Sequence, residues 1–315
     1  MAAALTVGFI GIGNMGWPMA ANLGKAGHAV IVHDADPQRA PRFAAEFGAV
    51  PATDLPALGR AADVVITMLP NGHLVREVLL GGAPGQSLLA GLRKGAVVVD
   101  MSSSDPVGTR ELGATLRAAG VALVDAPVSG LVPRARTGSL TIMIGADDET
   151  AVERVLPLLG CLGERLFRTG SLGCGHAMKA LNNVVAATAF TATAEALIVG
   201  KRFGLDPQVM TEILDVSTGR SFHSAVSFPD HVLTRRFETG FTLGLLAKDV
   251  GIAGDLSASV SAEAPLIELV RRLWADGCDE IGAGEDNSAI VKRWERLNQV
   301  TIAADRRSAP PAPPA

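Results

Sequence analysis

The stretch Val7-Gly-Phe-Ile-Gly11-Ile-Gly13-Asn-Met-Gly16-Trp-Pro-Met-Ala20 decides the fold. An apolar run over 5–10 meets glycines at 11, 13 and 16, after which Met19, Ala20 and Leu23 recur at helical spacing until Gly24 and Gly27. That pattern reads strand, glycine turn, helix. Gly11 permits a tight turn, Gly13 lets the backbone approach a pyrophosphate, and Gly16 lets the helix pack on the sheet with its first amides facing the phosphates. The candidate phosphate-binding turn is therefore Gly11, Ile12, Gly13, Asn14, Met15 and Gly16. Three glycines alone are a weak signal. Here a second apolar run, 29–33, ends on Asp34, 18 residues after Gly16, where a carboxylate can accept both ribose hydroxyls. The context favours a dinucleotide site. Asp34 would repel a 2'-phosphate and Ala35 offers no cation, so NAD is expected ahead of NADP, with Arg39 near enough to keep NADP in play. Taken alone, Asp34 could instead merely cap the next turn, the lesser alternative.

Working outward, Asp36-Pro37 is expected to start a helix running through Phe47, as N-cap and first-turn proline. Apolar runs at 64–69, 96–99 and 121–124 come next, each ending in a polar or proline-marked loop with helical patterns between them. Alternating strands and helices imply an α/β Rossmann-type N-terminal domain with a mainly parallel sheet. Runs at 139–144 and 165–168 read as later, antiparallel additions. After Gly170 only helical periodicity remains, over 177–203, 207–217, 222–235, 243–276 and 286–300. The expected organisation is an NAD-binding domain over 1–170, an all-helical substrate and dimerisation domain over 171–302, and a disordered proline- and alanine-rich tail over 303–315.

Composition limits the remaining classes. The 315 residues are 48% hydrophobic and 19% charged, with mean hydropathy +0.30, which suits two domains with proper cores. A formal charge of -4 gives no basic footprint for nucleic acid or for a membrane surface. Cys161, Cys174 and Cys278 form no CxxC pair, and the histidines lack ligand spacing, so neither a disulfide framework nor zinc chemistry is expected. No basic region precedes the first apolar run, and a cytoplasmic protein is the expectation. The apolar stretch 184–199 falls short of a membrane span and reads as a buried interdomain or intersubunit helix of a homodimer or homotetramer.

Gly173-Cys-Gly-His-Ala-Met-Lys179-Ala-Leu-Asn182-Asn183 sets an ammonium and a carboxamide one helical turn apart. From 184 to 199 the only ionisable residue is Glu195. Lys179 is thus either a catalytic base or a lysine whose stem covers apolar surface, and this segment alone leaves both readings open. No tyrosine occurs in the chain, so a Tyr-Lys catalytic pair is excluded.

Four motifs occur in order: the glycine turn from Gly8, Asp125-Ala-Pro-Val-Ser129-Gly130, the Gly173-x-Gly175-x-x-x-Lys179-x-x-Asn182-Asn183 segment, and Lys248-Asp249. On these the chain resembles the β-hydroxyacid dehydrogenase family, from Val7 to about Ala253. The family usually shows Ser-Gly-Gly where this chain has Ser129-Gly130-Leu131. The resemblance implies that backbone amides of this loop, Ser129, Gly130 and Leu131, hold a substrate carboxylate; Leu131, the departure, can still donate if its φ is negative, and its side chain would narrow the pocket. It also implies that Lys179 is the catalytic lysine, that Asn183 orients substrate and lysine, that Leu69, Pro70 and Ser103 contact the cofactor, and that Lys248 closes over the nicotinamide side. The implied activity is NAD-dependent oxidation of a small 3-hydroxy acid such as 3-hydroxyisobutyrate, or reduction of tartronate semialdehyde or another anionic semialdehyde. Such chemistry needs a base for the hydroxyl proton while hydride leaves for the nicotinamide, and so a lysine held below its ordinary value of about 10.4. Retention of Lys179 disfavours an imine reductase-like enzyme and a catalytically silent dinucleotide-binding protein. His176 reads as structural, Arg220 as a helix-end charge that could otherwise meet a second anion, and Arg134 and Arg136 as solvated loop charges.

Overall fold

A computed structural model describes residues 5–83 and 85–304. Most of the expected disordered tail, 305–315, lies outside the described residues. The chain divides into two compact units, Met1–Ala180 and Leu181–Ala315.

The first unit alternates strands and helices: β1 (Thr6–Ile10), α1 (Gly16–Lys25), β2 (Ala29–His33), α2 (Arg39–Phe47), β3 (Val50–Pro51), α3 (Leu55–Ala61), β4 (Val64–Thr67) and α4 (Gly72–Leu80). It continues with β5 (Val97–Asp100), α5 (Pro106–Ala118), β6 (Ala122–Asp125), β7 (Val128–Ser129), α6 (Leu131–Thr137), β8 (Leu140–Ala146), α7 (Glu149–Leu162), β9 (Gly163–Gly170) and the start of α8 (Cys174–Phe203). Strands β3, β2, β1, β4, β5 and β6 lie side by side and parallel. Strand β8 joins antiparallel to β6 and β7, and β9 pairs parallel with β8, so the late additions reverse direction as a pair. Both faces of the sheet are covered. Val7, Phe9, Val64, Ile66, Val97 and Val99 belong to one core cluster, and Val65, Val98 and Leu123 to the other. Burial on two sides is why these strands read as unbroken apolar runs.

One expectation shifts by local hydrogen bonding. Helix α2 starts at Arg39, because the Asp36 carbonyl takes the Arg39 amide at 3.1 Å and its carboxylate takes the Gln38 amide at 3.0 Å, making Asp36-Pro37 a turn ahead of the helix. The boundary between the two compact units falls after Ala180, inside α8. The first turn of α8 is bonded into the first unit through the Asp125 carboxylate, which accepts the Gly173 and His176 amides.

The second unit holds the rest of α8, then α9 (Pro207–Asp215), a π-helical segment His223–Val232, α10 (Leu243–Ser259), α11 (Pro265–Ile281), a short 3-10 turn Asn287–Ile290 and α12 (Val291–Asn298). Phe190 centres its core, with ring centroids of Phe228, Trp274 and Trp294 at 4.7, 5.9 and 6.4 Å. Trp274 is fully buried and its indole N–H donates to the Thr191 hydroxyl at 3.1 Å. The periodicity over 243–276 predicts one helix where two are found. Ser261 takes φ 54°, and Pro265 cannot lie in a helix interior without losing a hydrogen bond, so it opens α11 instead. The 222–235 pattern is wound more loosely than expected, as in the Leu233 amide bonding the Phe228 carbonyl five residues back. By length and composition alone α8 could cross a membrane, but 56% of its most apolar window is buried inside the protein.

Candidate active site

Ile10, His33, Thr67, Asp100 and Asp125 stand in one row of the sheet register, so their strands release the chain side by side at one edge. That edge is where open parallel sheets bind ligands. Gly11 turns out of β1 at φ 92°, and a Cβ there would run into the Met68 carbonyl and come within 2.8 Å of Leu69 Cδ2. A Cβ at Gly16 would strike the Gly11 carbonyl oxygen. Gly13 differs. A Cβ there would meet only Arg39 Nη1, at 3.6 Å, so its face stays open to a phosphate. Ile12 is buried, Met15 half-buried and Asn14 exposed.

Asp34 caps the turn that follows β2 and also reaches back to the glycine turn. Its Oδ2 accepts the Ile12 amide at 2.9 Å, tying the glycine turn to β2, and its Oδ1 accepts the Asp36 amide at 2.9 Å. Arg39 lies 3.6 Å from Asp34 and 3.3 Å from Asp36. The loops after β4 and β5 are joined by a second carboxylate. Asp100 accepts from the Thr67 hydroxyl at 2.9 Å, the Ser104 hydroxyl at 2.7 Å and the Ser102 amide at 3.0 Å. Ser102 Oγ then accepts the Leu69 amide at 2.9 Å, which fixes the chain entering Pro70. The sequence points to Ser103, and Ser102 carries no motif of its own. Ser103 is half-buried beside it, and only the sheet register tells which serine of the run turns inward. An open glycine face, a carboxylate at the end of β2 and two tied loops fit a dinucleotide.

Asp125 roots the helix that carries Lys179. Its Oδ1 accepts the Gly173 amide at 2.7 Å and its Oδ2 the His176 amide at 2.8 Å, satisfying free donors at the start of α8. Burial pushes the Asp125 carboxyl above the usual carboxylate range, while the nearby His176 and these two amides pull it back. Glycine makes the approach possible. A Cβ at Gly175 would strike the Met143 carbonyl and lie 2.7 Å from Asp125 Oδ2, and one at Gly145 would lie 2.5 Å from Asp125 Oδ1. His176 is buried, with Nδ1 2.8 Å from the Thr109 hydroxyl and Nε2 3.6 Å from Asp100 Oδ2. It belongs to the wall between the two carboxylates. Lys179, half-buried, comes one turn later.

The chain leaves Asp125 through β7 to Ser129, paired with Thr141, and must turn into α6 within two residues. Gly130 takes φ 140° and Leu131 takes φ 58°. Leu131 therefore does not meet the condition of a negative φ set for its donation. It occupies the left-handed region, which costs a residue with a Cβ about 1–2 kcal/mol. The surroundings enforce this. β7 is fixed by its pairing, and α6 is held to α1 by the Asn22 carboxamide donating to the Ala135 carbonyl at 2.9 Å.

In the second unit, Asn183 Nδ2 donates to Asp249 Oδ2 at 2.5 Å and Asn182 Nδ2 donates to Asn183 Oδ1 at 3.1 Å. Lys248 Nζ stands 2.8 Å from Asp249 Oδ1. Asp249 is 2% exposed, so Lys248-Asp249 is not a solvated helix pair. Asp249 joins two of the residues named from the sequence, a role no spacing rule reveals across 66 positions. Arg220 pairs with Asp215 at the surface, at 3.0 Å. Among the described residues, no group of His, Cys, Asp and Glu could hold a metal.

Comparison with known proteins gives a consistent result. The family model for the NAD binding domain of 6-phosphogluconate dehydrogenase matches residues 6–170, and that for the NAD-binding region of NADP-dependent 3-hydroxyisobutyrate dehydrogenase matches 173–294. The chain is 34% identical over 303 residues to 2-(hydroxymethyl)glutarate dehydrogenase of Eubacterium barkeri, covering 96% of this chain and 99% of that one. It is 35% identical over 299 residues to human mitochondrial 3-hydroxyisobutyrate dehydrogenase, covering 93% and 87%. The solved structure of Mycobacterium tuberculosis 3-hydroxyisobutyrate dehydrogenase with L-serine superposes with a TM-score of 0.83 at 33% identity, covering 93% and 99%.

Proposed function

The chain belongs to the β-hydroxyacid dehydrogenase family, and on that premise we propose that it moves hydride between NAD and C3 of a small 3-hydroxy acid, with Lys179 as general acid and base. One observation carries the assignment of Lys179. Asp125 bonds the first turn of α8 to the end of β6, which fixes the helix bearing Lys179 to the sheet edge that also releases the glycine turn and Asp34. NAD, when bound, supplies the nicotinamide carbon that takes or returns hydride. In the oxidative direction Lys179 Nζ takes the hydroxyl proton, and in the reductive direction it returns one to the developing alkoxide. Amides of Ser129 and Gly130 hold the carboxylate, with Leu131 next to them in the same loop. Asn183 and Lys248, both held by the Asp249 carboxylate, take the substrate-orienting and nicotinamide-closing roles that the resemblance gives them. A panel of hydroxy acids and aldehydes assayed with NAD(H) and NADP(H) tests this reading. Turnover of 3-hydroxyisobutyrate with NAD is the expected result, and tight NADH binding without turnover of any of them would end it.

Asp34 sets cofactor preference in this proposal. Asp34→Ala removes the acceptor for the ribose and frees Arg39 from one of its two carboxylates. Hydrogen bonds to charged groups contribute about 1.5–3 kcal/mol, so kcat/KM with NAD is expected to fall roughly tenfold or more while that with NADP rises. An unchanged NAD to NADP ratio would remove Asp34 from the ribose site.

The second unit exposes an apolar stripe along α8 and α9: Leu181, Val185, Val199, Phe203, Val209 and Ile213, with Phe203 86% exposed. Contiguous apolar surface of this kind marks an interface. A homodimer or homotetramer that buries it is expected by light scattering at micromolar concentration, and Val185→Lys with Phe203→Asp should shift it to monomer. A monomeric parent protein would contradict the assembly.

A further inference from the structure

We infer that Leu131 selects the substituent at C2 of the substrate, favouring 3-hydroxypropanoates with an alkyl group there over those with a hydroxyl. The inference rests on the reading of Ser129, Gly130 and Leu131 as the carboxylate-binding loop.

Three observations support it. The backbone at Leu131 is left-handed, a conformation that suits glycine and that side chains seldom adopt. Backbone preference therefore does not account for a leucine there. That side chain is not spent on the core either: Leu131 is 36% exposed, whereas Ala135 of the same helix and Leu140 at the start of β8 are fully buried. Packing and backbone preference therefore both fail to explain the isobutyl group. The chemistry of the loop supplies the remaining reason. C2 of a 3-hydroxy acid is one bond from the carboxylate carbon, so a wall beside the carboxylate amides meets the C2 substituent first. An apolar wall accepts a methyl group, whereas a hydroxyl facing it loses water and gains no partner. Gly130 cannot play this part, because a Cβ there would lie 2.8 Å from Arg134 Cβ and the residue already sits at φ 140°.

The test compares 3-hydroxyisobutyrate with glycerate, each oxidised with NAD, in the wild type, Leu131→Gly and Leu131→Asn. The wild type is expected to prefer 3-hydroxyisobutyrate by about tenfold or more in kcat/KM, the discrimination that one apolar contact can supply. Leu131→Gly should shrink that preference about tenfold, and Leu131→Asn, which tolerates the left-handed backbone, should move it further toward glycerate. NADH affinity should stay unchanged in both, and the thermal midpoint of the glycine variant should hold or rise. An active Leu131→Gly enzyme with the wild-type substrate ratio overturns the inference and leaves the proposed function standing. A merely structural Leu131 would instead lower the thermal midpoint and lower turnover of both substrates alike, which also overturns it. A wild type that turns over neither substrate, nor any other hydroxy acid, overturns both.

Discussion

Lys179→Ala is expected to lower kcat by roughly two to four orders of magnitude, the range that one positioned acid or base contributes. NADH should bind the variant as well as the wild type, since the glycine turn and Asp34 are held by β1, β2 and their own hydrogen bonds. Lys179→Arg separates the two readings the sequence leaves open. An arginine stem covers apolar surface as well as a lysine stem does, but its guanidinium cannot give up its proton at working pH. Activity restored by arginine would make Lys179 a covering side chain, and activity lost with either substitution supports the acid-base role. The pH profile gives a second readout. Oxidation needs the neutral amine and reduction the ammonium, so the two directions should respond oppositely to pH in the wild type, and that contrast should vanish in Lys179→Ala.

Gly175→Ala should cost nearly as much without touching a reacting group. The added methyl would meet the Met143 carbonyl on one side and, on the other, the Asp125 carboxylate at 2.7 Å and its carbonyl at 3.0 Å. Two of those three obstacles are backbone and cannot swing aside, so the first turn of α8 must lift from the strand ends. Overpacking of this kind costs about 1–3 kcal/mol of stability, and a displacement near 1 Å at a catalytic group costs on the order of a hundredfold in rate. Calorimetry and steady-state kinetics on the same preparation measure the two losses. Wild-type kcat with an unchanged unfolding midpoint would show that the close approach of α8 to Asp125 has no bearing on Lys179.

Much of the first unit is legible in its residues because parallel strands buried on both faces are written as apolar runs, and because a dinucleotide turn needs glycine for mechanical reasons at Gly11, Gly13 and Gly16. What stays hidden depends on partners far along the chain. Asp249 looks like half of an exposed pair with Lys248 until α10 places it against Asn183. Ser102 and Ser103 are equivalent as letters, and only the pairing of Thr67 with Asp100 decides that Ser102 reaches Leu69. Gly173 and Gly175 read as the release of the chain into a helix, yet Gly175 lies inside α8 and serves a backbone approach. The left-handed Leu131 is invisible for another reason. Nothing in the side chain predicts φ 58°, which results from fixing β7 and α6 on either side of a two-residue turn.

Lys179 and Asn183 ride on one uninterrupted helix, with the boundary between the units passing after Ala180, between them. The backbone between them is therefore one turn of helix, while Asp249 holds the Asn183 carboxamide. Each residue inserted into a helix rotates the remainder of that helix by about 100°. Insertions in surface loops can be absorbed where they occur, but a single residue gained or lost among positions 180–182 would point the ammonium and the carboxamide to different sides. That short interval therefore has little tolerance to a change of length.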